Sequence, residues 1–240
     1  MIVIPMAGMS SRFFKAGFDK PKYQLDAHGI TLFEHSVLSF EKYFKTELFL
    51  FIVKDKFGTV EFVKSKVQSL GIDFYEIVVI EKDTRGQAES VAIGLEKFKN
   101  KPDESLTIFN IDTFRPSFNF PNVKEMEDGY LEVFIGDGDN WSFAKPKNEY
   151  STEVIETAEK KQISQYCSTG LYFFRNIEMY MKSFDEYLKK PEVEWDKGEL
   201  YIAPLYNILI KNGFKVHYNL ISREDVIFCG TPEEYADFLK

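Results

Sequence analysis

The first 22 residues of the chain contain the side chains whose types and spacing most clearly suggest chemistry. The apolar run at residues 2–6 is followed by a loop of small residues and then by two cations, Arg12 and Lys22. The run predicts a buried strand, and small residues after a strand let the backbone turn tightly and approach a ligand. Two separated cations can flank a polyphosphate. The arrangement indicates nucleoside triphosphate binding, with a plain structural turn as the alternative.

The candidate nucleotide-binding residues of this loop are Ala7, Gly8, Met9, Ser10 and Ser11. Their spacing differs from that of a P-loop and from that of the dinucleotide-binding motif, which needs glycines where Ser10 and Phe13 stand. Residues 4–13 and 16–22 instead resemble the signature of the nucleotidyltransferase (NTP transferase) family. That family includes sugar-1-phosphate pyrophosphorylases and phosphocholine-type cytidylyltransferases, and it usually has glycine where this sequence has Ser10.

The resemblance implies a fold and a reaction. The implied fold is α/β, a three-layer sandwich with a mostly parallel mixed sheet, Rossmann-like and similar to the GT-A nucleotide-diphospho-sugar transferases. It would form one domain over residues 1–240, with a nucleotide-binding half at 1–128 and an acceptor-binding half at 129–240. The implied reaction moves a nucleoside monophosphate from CTP, UTP or dTTP to a phosphorylated small molecule and releases pyrophosphate. Sugar 1-phosphates are the commonest acceptors, and capsule or lipopolysaccharide biosynthesis is the expected use.

Composition limits the partners of the chain. Its 240 residues carry a formal net charge of -8, which argues against a general nucleic-acid binder. Cys167 and Cys229 are too few for a disulfide framework or a zinc ribbon, so reduced thiols are expected. No apolar stretch approaches the ~20 residues of a membrane span or the core of a signal peptide. We expect a cytoplasmic protein without membrane insertion, and its oligomeric state stays open.

Apolar periodicity predicts an alternation of elements in the first half. Buried runs predict strands at residues 2–6, 48–53, 74–80 and 106–110. Apolar residues spaced by three and four predict helices at 32–40, 60–70 and 88–98. Such alternation indicates a parallel sheet with helices on both faces. Ligands bind at the carboxyl ends of such strands, so we expect the loops at 7–13, 81–87 and 111–114 to meet at one edge.

The second of these loops carries candidate nucleotide-binding residues, Gly86, Gln87 and Ala88. A glycine lets the backbone approach a planar ring, and the Gln87 amide both donates and accepts hydrogen bonds, which suits the edge of a nucleobase. The family has a Gly-Ala or Gly-Thr-Ala element here, near the base and the sugar. The alternative is a helix cap, with Thr84 as N-cap and Gln87 as the third residue of a capping box.

The third loop carries Asp112, directly after an apolar strand. Mg²⁺ is typically held by one or two carboxylates together with phosphate oxygens and water, and the family places its metal-binding aspartate here. A turn-forming aspartate is the alternative. Many relatives have a second metal-binding aspartate where this sequence has Phe228. Either Glu199 or Asp225 would then replace it, or the triphosphate and water would complete the shell.

The second half is expected to bind the acceptor. Residues 154–174 resemble the family's Glu-Lys element and the Gly-x-Tyr-x-Phe strand after it. This implies that Lys160 reaches the acceptor phosphate, with Glu159 and Gly170 beside the acceptor. Residues 198–207 resemble the segment that closes over the acceptor, and they add Glu199 to the acceptor-binding candidates. A solvated charged hairpin is the alternative, and Lys161 makes the position of the lysine ambiguous by one residue.

Implied catalytic roles fall on Arg12, which would hold the leaving β- and γ-phosphates, on Lys22 at the α-phosphate, and on Asp112 as the Mg²⁺ ligand. A phosphate monoester is mostly a dianion near neutral pH, so no general base is required. The three histidines, His28, His35 and His217, are then expected to be structural. Two other functions stay open. They are a GT-A-type glycosyltransferase, which usually shows an Asp-x-Asp motif, and a non-catalytic nucleotide-binding protein.

Overall fold

The structure is a computed structural model that describes residues 1–122 and 124–240. The strands are β1 (Ile2–Met6), β2 (Asp26–Ala27), β3 (Ile30–Thr31), β4 (Phe49–Val53), β5 (Tyr75–Val79), β6 (Leu106–Phe109), β7 (Thr113–Phe114), β8 (Gly129–Ile135), β9 (Ser142–Pro146), β10 (Glu153–Glu159), β11 (Tyr166–Phe174), β12 (Val216–Leu220) and β13 (Ile227–Phe228). The α-helices are α1 (Ser11–Lys15), α2 (Leu32–Val37), α3 (Thr59–Leu70), α4 (Gln87–Leu95), α5 (Ile177–Leu188), α6 (Ala203–Lys211) and α7 (Pro232–Phe238). Short 3₁₀ helices lie at Lys22–Gln24, Leu38–Tyr43, Glu96–Phe98, Glu192–Glu194, Asp196–Gly198 and Arg223–Asp225.

The fold is mixed α/β, and the chain divides into two compact units that are each discontinuous in sequence. The first unit consists of residues 2–81, 109–119 and 224–240. The second unit consists of residue 1 and of residues 82–108 and 120–223. The expected boundary between a nucleotide half and an acceptor half, at residue 128, remains a prediction.

In the first unit the strands run in the order β5-β4-β1, and both neighbouring pairs are parallel. Every residue of β1 and β4 is buried, which agrees with the continuous apolar runs that predicted strands covered on both faces. A smaller antiparallel pair joins β7 to β13 and places Phe228 opposite Thr113. The C-terminal residues of the chain therefore complete this unit around the strand that follows Asp112.

In the second unit the strands form a mixed arrangement in the order β6-β11-β8-β12-β10-β9. In this unit β8 and β12 pair in parallel, whereas β8–β11, β9–β10, β9–β11 and β10–β12 are antiparallel. The expectation of a mostly parallel sheet is therefore wrong for this unit. Parallel neighbours need a long crossover, and the short connection at residues 147–152 between β9 and β10 permits only a hairpin.

The predicted elements of the first half are confirmed, with small differences at their ends. Two of the predicted helices are split: α2 and α4 each continue into a 3₁₀ helix, at Leu38–Tyr43 and at Glu96–Phe98. The third, α3, ends at Leu70 as predicted, and its C-cap is Gly71, which is left-handed with φ of 72°. Among the described residues, no helix has both the length and the apolar character needed to cross a membrane.

One alternative from the sequence is wrong: Thr84 does not cap α4. The N-cap is Gly86, which has no side chain to offer, and the Thr84 hydroxyl instead pairs with that of Ser90 at 2.8 Å. The first backbone N–H groups of a helix need acceptors from outside it. Here the carbonyl of Leu200 accepts from Ala88 N at 2.9 Å, so a backbone group does what a capping side chain would do.

The last helix of the first unit depends on a capping box at Thr231. Its hydroxyl accepts from Glu234 N at 3.2 Å, and the Glu234 carboxylate accepts from Thr231 N at 3.0 Å. We expect Thr231→Ala to lower the free energy of unfolding by about 1 kcal/mol, as loss of such a cap usually does. Urea unfolding measures this. The exposed Glu233→Gln in the same turn serves as the control, and an equal midpoint for the two variants would contradict the prediction.

Candidate active site

The loop after β1 is held in shape by Ser10. This residue is the N-cap of α1, and its backbone is left-handed, with φ of 49°. Glycine adopts that conformation most readily, which gives a physical reason for the glycine usually found here in the family that the loop resembles. The serine hydroxyl adds a contact that glycine cannot make, since it accepts from Lys22 N at 3.1 Å. The loop and the second predicted cation are thereby fastened together.

The two groups predicted to act on the phosphates and the metal are brought together. Lys22 Nζ lies 2.5 Å from Asp112 Oδ2, and about a fifth of each side chain is exposed, 21% and 22%. The third predicted catalytic residue, Arg12, is exposed on α1 and forms no ion pair with any residue that the structure describes. Beside it, a Cβ on Gly8 would meet no atom within 4 Å, so this part of the loop is open.

Residues 228–230 contact Asp112 and the strand that follows it. Cys229 N donates to the backbone oxygen of Asp112 at 2.8 Å. A Cβ on Gly230 would lie 3.0 Å from Asp112 Oδ2, so the absence of a side chain at Gly230 leaves room for the carboxylate. Phe228 pairs with Thr113, which puts the residue that replaces the family's second aspartate next to the strand of Asp112.

The residues suggested as replacements for that second aspartate have other surroundings. Asp225 is exposed, and its backbone carbonyl accepts from Arg115 Nη1 at 2.7 Å. Glu199 belongs to the second unit, where its charge acts on Tyr201. Among residues 1–122 and 124–240, no group of three or more His, Cys, Asp or Glu side chains could hold a metal ion. Asp112 alone offers one carboxylate, which is enough for Mg²⁺ when phosphate oxygens and water supply the other ligands. The residues present fit Mg²⁺ on that condition.

A segment that the sequence reasoning missed braces this loop. Residues 54–59 follow β4 and contact both α1 and the segment that begins at Lys22. The Phe57 ring stacks on Phe14 with centroids 5.2 Å apart, and the Thr59 hydroxyl pairs with that of Tyr23, next to Lys22, at 2.7 Å. Phe57 itself has a left-handed backbone, with φ of 59°. The rule that ligand loops follow parallel strands could have drawn attention to these residues.

In the second unit, residues 84–88, here called the base loop, are packed against a backbone segment. Leu200 N donates to Arg85 O at 2.9 Å, and Leu200 O accepts from Ala88 N at the same distance. A Cβ on Gly86 would lie 2.6 Å from Leu200 N, so the glycine is required for this contact. Gln87 is half-buried at the start of α4. Contact of the base loop with a nucleobase remains a prediction.

Four of the acceptor-binding candidates also lie in the second unit. Glu159 is buried at the end of β10 and accepts a hydrogen bond from Ser142, whose hydroxyl lies 3.0 Å from that of Tyr172. Gly170 lies in an irregular part of β11 with φ of 88°. Glu199 is exposed and follows the 3₁₀ helix Asp196–Gly198.

Lys160, the fourth candidate, is fixed by two kinds of contact. Its backbone is left-handed, with φ of 52°, and its N–H donates to Trp141 O at 2.8 Å. Its ammonium donates to the Tyr201 hydroxyl and lies 4.5 Å from the centroid of the same ring. The neighbouring Lys161 is exposed. The geometry therefore favours Lys160 as the lysine of the Glu-Lys element.

Lys160 stands among carboxylates whose charges its ammonium offsets. Burial raises the pKa of Glu159, although Ser142 and Lys160 act in the opposite direction. Burial also raises the pKa of Asp196. Burial first, then the charges of Glu199 and Glu159, raise the pKa of Tyr201, so its hydroxyl keeps its proton. We call Glu159, Lys160, Glu199 and Tyr201 the acceptor cluster.

The remaining polar candidates have partners inside the protein. His28 and His35 contact the backbone oxygens of Phe238 and Ala27 at 2.6 and 2.9 Å, and His217 contacts Glu127 at 2.8 Å. Both cysteines are free and buried, and burial raises the pKa of Cys167 to about 11 and of Cys229 to about 12. The thiols therefore stay protonated near neutral pH and are poor nucleophiles.

Comparison with known proteins identifies the family. No protein-family model matches the sequence, and the search of curated proteins found no match. Among solved structures, the chain matches the nucleoside-diphosphate-sugar pyrophosphorylase from Vibrio cholerae RC9 with 58% identity and a TM-score of 0.95, over 100% of this chain and 99% of that chain. The chain belongs to the nucleoside-diphosphate-sugar pyrophosphorylase family. The resemblance to NTP transferases is thereby confirmed.

More distant structures share the fold of this chain. The inositol-1-phosphate CTP transferase from T. maritima matches 99% of this chain and 94% of its own, with 16% identity and a TM-score of 0.73. The UDP-glucose pyrophosphorylase from Acinetobacter baumannii matches 99% and 91%, with 12% identity and a TM-score of 0.73. The 58% identity to the V. cholerae enzyme shows that this chain is an enzyme of the nucleotidyltransferase type, as expected, and not a non-catalytic nucleotide-binding protein.

The contact between Gly86 and Leu200 in the pyrophosphorylase predicts a specific cost of adding one methyl group. Gly86→Ala should lower the free energy of unfolding by about 1–3 kcal/mol more than Gly138→Ala, because overpacking adds to the cost of the backbone conformation. The control also needs a positive φ, of 89°, but a Cβ there would meet nothing within 4 Å. Urea unfolding of both variants measures the difference, and equal losses would show that the close approach is unimportant.

The buried Glu159 predicts a pH effect on stability. Because burial raises its pKa, the folded protein binds this proton more tightly than the unfolded chain, so stability falls as the pH rises from about 4.3 through the folded pKa. The glutamine of the Glu159→Gln variant cannot ionise, so the free energy of unfolding of this variant should depend less on pH. Relative to the wild type, that free energy should increase as the pH rises towards neutral. Urea unfolding over that range measures this. Glu156→Gln, exposed on the same strand, should follow the wild type.

Proposed function

We propose that this pyrophosphorylase transfers a nucleoside monophosphate from CTP, UTP or dTTP to a sugar 1-phosphate or another small phosphomonoester, with Mg²⁺ and with release of pyrophosphate. The observation that carries the proposal is the pairing of Lys22 with Asp112 beside the Ser10 loop, in a chain 58% identical to a nucleoside-diphosphate-sugar pyrophosphorylase. The nucleotide sugar or related product would serve capsule or lipopolysaccharide biosynthesis.

The chemistry needs positioning and charge stabilisation rather than a proton acceptor. A phosphate oxygen of the acceptor attacks the α-phosphorus, a new P–O bond forms, and the bond to the β-phosphate breaks as pyrophosphate leaves. The attacking group is mostly a dianion above its second pKa of about 6, so it needs no general base. This agrees with the three histidines being engaged in structural contacts. What the chain must supply is fixed cations near the phosphates.

The cations take the roles that the family resemblance implies. Arg12 would hold the leaving β- and γ-phosphates, and its exposure on α1 beside the open loop at Gly8 supports this role. Lys22 is assigned to the α-phosphate, where its ammonium would offset negative charge. Asp112 would hold Mg²⁺, which when bound neutralises phosphate charge and orients the oxygens. The loop residues Ala7, Gly8, Met9, Ser10 and Ser11 would approach the triphosphate through their backbone.

The acceptor and the base are assigned to the second unit. Lys160 would bind the acceptor phosphate, and Glu159, Gly170 and Glu199 would contact the body of the acceptor. A sugar suits this cluster because hydroxyl groups can donate to its carboxylates. The base loop, with Gly86, Gln87 and Ala88, would receive the nucleobase.

Two broader expectations belong to the same proposal. The architecture is that of the GT-A-like nucleotide-diphospho-sugar transferases, a three-layer sandwich; the likeness to the UDP-glucose pyrophosphorylase of A. baumannii supports it. The location is the cytoplasm, where nucleoside triphosphates are available.

The proposal is tested by pyrophosphate release from the purified protein with Mg²⁺. Each of CTP, UTP, dTTP, ATP and GTP is combined with sugar 1-phosphates, phosphocholine and phosphorylated amino acids. We expect release with one triphosphate and one acceptor, and Asp112→Asn should lower kcat by at least about 100-fold, because removing one electrostatic contact to the reacting phosphates typically costs that much. Asp73→Asn, at an exposed carboxylate that pairs with Lys45, is the matched control.

Three outcomes would count against the proposal. Absence of pyrophosphate release with every combination of triphosphate and acceptor would contradict the proposal. Release of a nucleoside diphosphate from a nucleotide sugar would identify a GT-A-type glycosyltransferase instead. Full activity of Asp112→Asn would remove Asp112 from the site.

A further inference from the structure

The segment that carries Leu200 and Tyr201 touches two parts of the second unit that the proposed function assigns to different substrates. Leu200 exchanges two backbone hydrogen bonds with the base loop, through Arg85 O and Ala88 N. Tyr201, the next residue, accepts a hydrogen bond from the ammonium of Lys160. The residue assigned to the acceptor phosphate and the loop assigned to the base are therefore joined by two consecutive residues.

The covalent geometry makes this connection stiff. The peptide unit between Leu200 and Tyr201 is planar, so the Leu200 carbonyl that accepts from Ala88 lies in the same rigid group as the N and Cα atoms of Tyr201. A change in the position of Ala88 N is therefore transmitted to the start of the tyrosine. Gly86 keeps the two backbones close, because a Cβ at that position would lie 2.6 Å from Leu200 N.

A second contact ties the same segment to the base loop. The Arg85 guanidinium lies over the ring of the buried Trp195, 5.5 Å from its centroid. Trp195 is in turn fixed by a hydrogen bond from Nε1 to Lys190 O at 3.2 Å. The segment from Trp195 to Tyr201 is thus held against the base loop near both of its ends.

The Lys160 end is held by strain and charge. Lys160 has a left-handed backbone, and its ammonium contacts both the hydroxyl and the ring of Tyr201. A non-glycine residue in that backbone region persists only where its surroundings hold it. Tyr201 is one of the residues that hold Lys160, so greater freedom of the tyrosine side chain would give the lysine side chain greater freedom.

We infer that Tyr201 is a positioning residue that couples the two substrates: nucleotide binding at the base loop fixes Lys160 for the acceptor phosphate, and the acceptor favours the nucleotide-bound loop in return. This rests on the proposed function, since it takes the base loop and Lys160 as the two binding regions. The coupling is reciprocal, as any equilibrium coupling between two sites must be.

The test measures the reactivity of the Lys160 amine without any acceptor. The protein is treated with an amine-acylating reagent alone and with each of CTP, UTP, dTTP, ATP and GTP plus Mg²⁺, and the modified peptides are quantified by mass spectrometry. Lys161, adjacent and exposed, is the internal reference. Calorimetry shows which triphosphates bind. We expect a bound triphosphate to slow acylation of Lys160 about fivefold relative to Lys161, the lower range of typical coupling.

Tyr201→Phe separates coupling from direct shielding of the lysine by the nucleotide. This variant keeps the ring and loses the hydroxyl, so Lys160 should react faster without nucleotide, and the nucleotide should no longer slow it. Tyr166→Phe, which removes a half-buried hydroxyl from a tyrosine stacked on Tyr218, should behave as the wild type. With the substrates found by pyrophosphate release, Tyr201→Phe should raise the acceptor KM and leave kcat at saturation unchanged.

Each contrary result has its own meaning. A triphosphate that binds without changing the Lys160 rate overturns the coupling and leaves the proposed function standing. If the triphosphate slows Lys160 acylation in Tyr201→Phe as much as in the wild type, the coupling is also overturned, because the nucleotide then shields the lysine directly. If none of the five triphosphates binds, the proposed function fails and the inference fails with it.

Discussion

The first unit depends on holding one carboxylate beside one ammonium group. Asp112 carries a negative charge at the end of a buried strand, and Lys22, 2.5 Å away, offsets it. Two nearby irregularities serve that placement. Ser10 takes a left-handed backbone so that its hydroxyl can reach the backbone of Lys22, and Gly230 has no side chain where one would press on the carboxylate. Partial burial leaves the attraction between the two charges less screened by solvent, but it also removes part of the hydration of each charge. Contacts that hold both groups in place therefore favour the pair.

In the second unit several carboxylates surround the one ammonium group that the proposed function assigns to the acceptor phosphate. Glu159, Asp196 and Glu199 all act on the same tyrosine, and Lys160 is the cation among them. Their negative charge would repel a phosphorylated ligand if the lysine were free to swing away. Fixing the ammonium against Tyr201 keeps positive charge at one place, and the same carboxylates remain available as hydrogen-bond acceptors.

The sequence was informative where chemistry is tied to residue type. Lys22 and Asp112 became candidates because their segments resemble motifs of the family, and the strands themselves follow from apolar runs. The prediction that Thr84 caps α4 was wrong because the acceptor is the carbonyl of Leu200. Every residue type has a backbone carbonyl, so the sequence does not reveal such a contact. The position of Phe57 could not be predicted for a related reason: a phenylalanine usually indicates packing, and its contact with Phe14 on α1 depends on the tertiary fold. Strand pairing in the second unit is likewise set by distant partners.

The antiparallel pair between β7 and β13 has a consequence for how the protein is made. Its two strands are separated by more than a hundred residues of chain, so β13 is synthesised well after β7. The loop after β1, α1 and Asp112 are therefore all made before Cys229, whose N–H donates to the backbone of Asp112. Removal of residues 227–240 would leave every N-terminal motif intact while removing the segment that contacts Asp112.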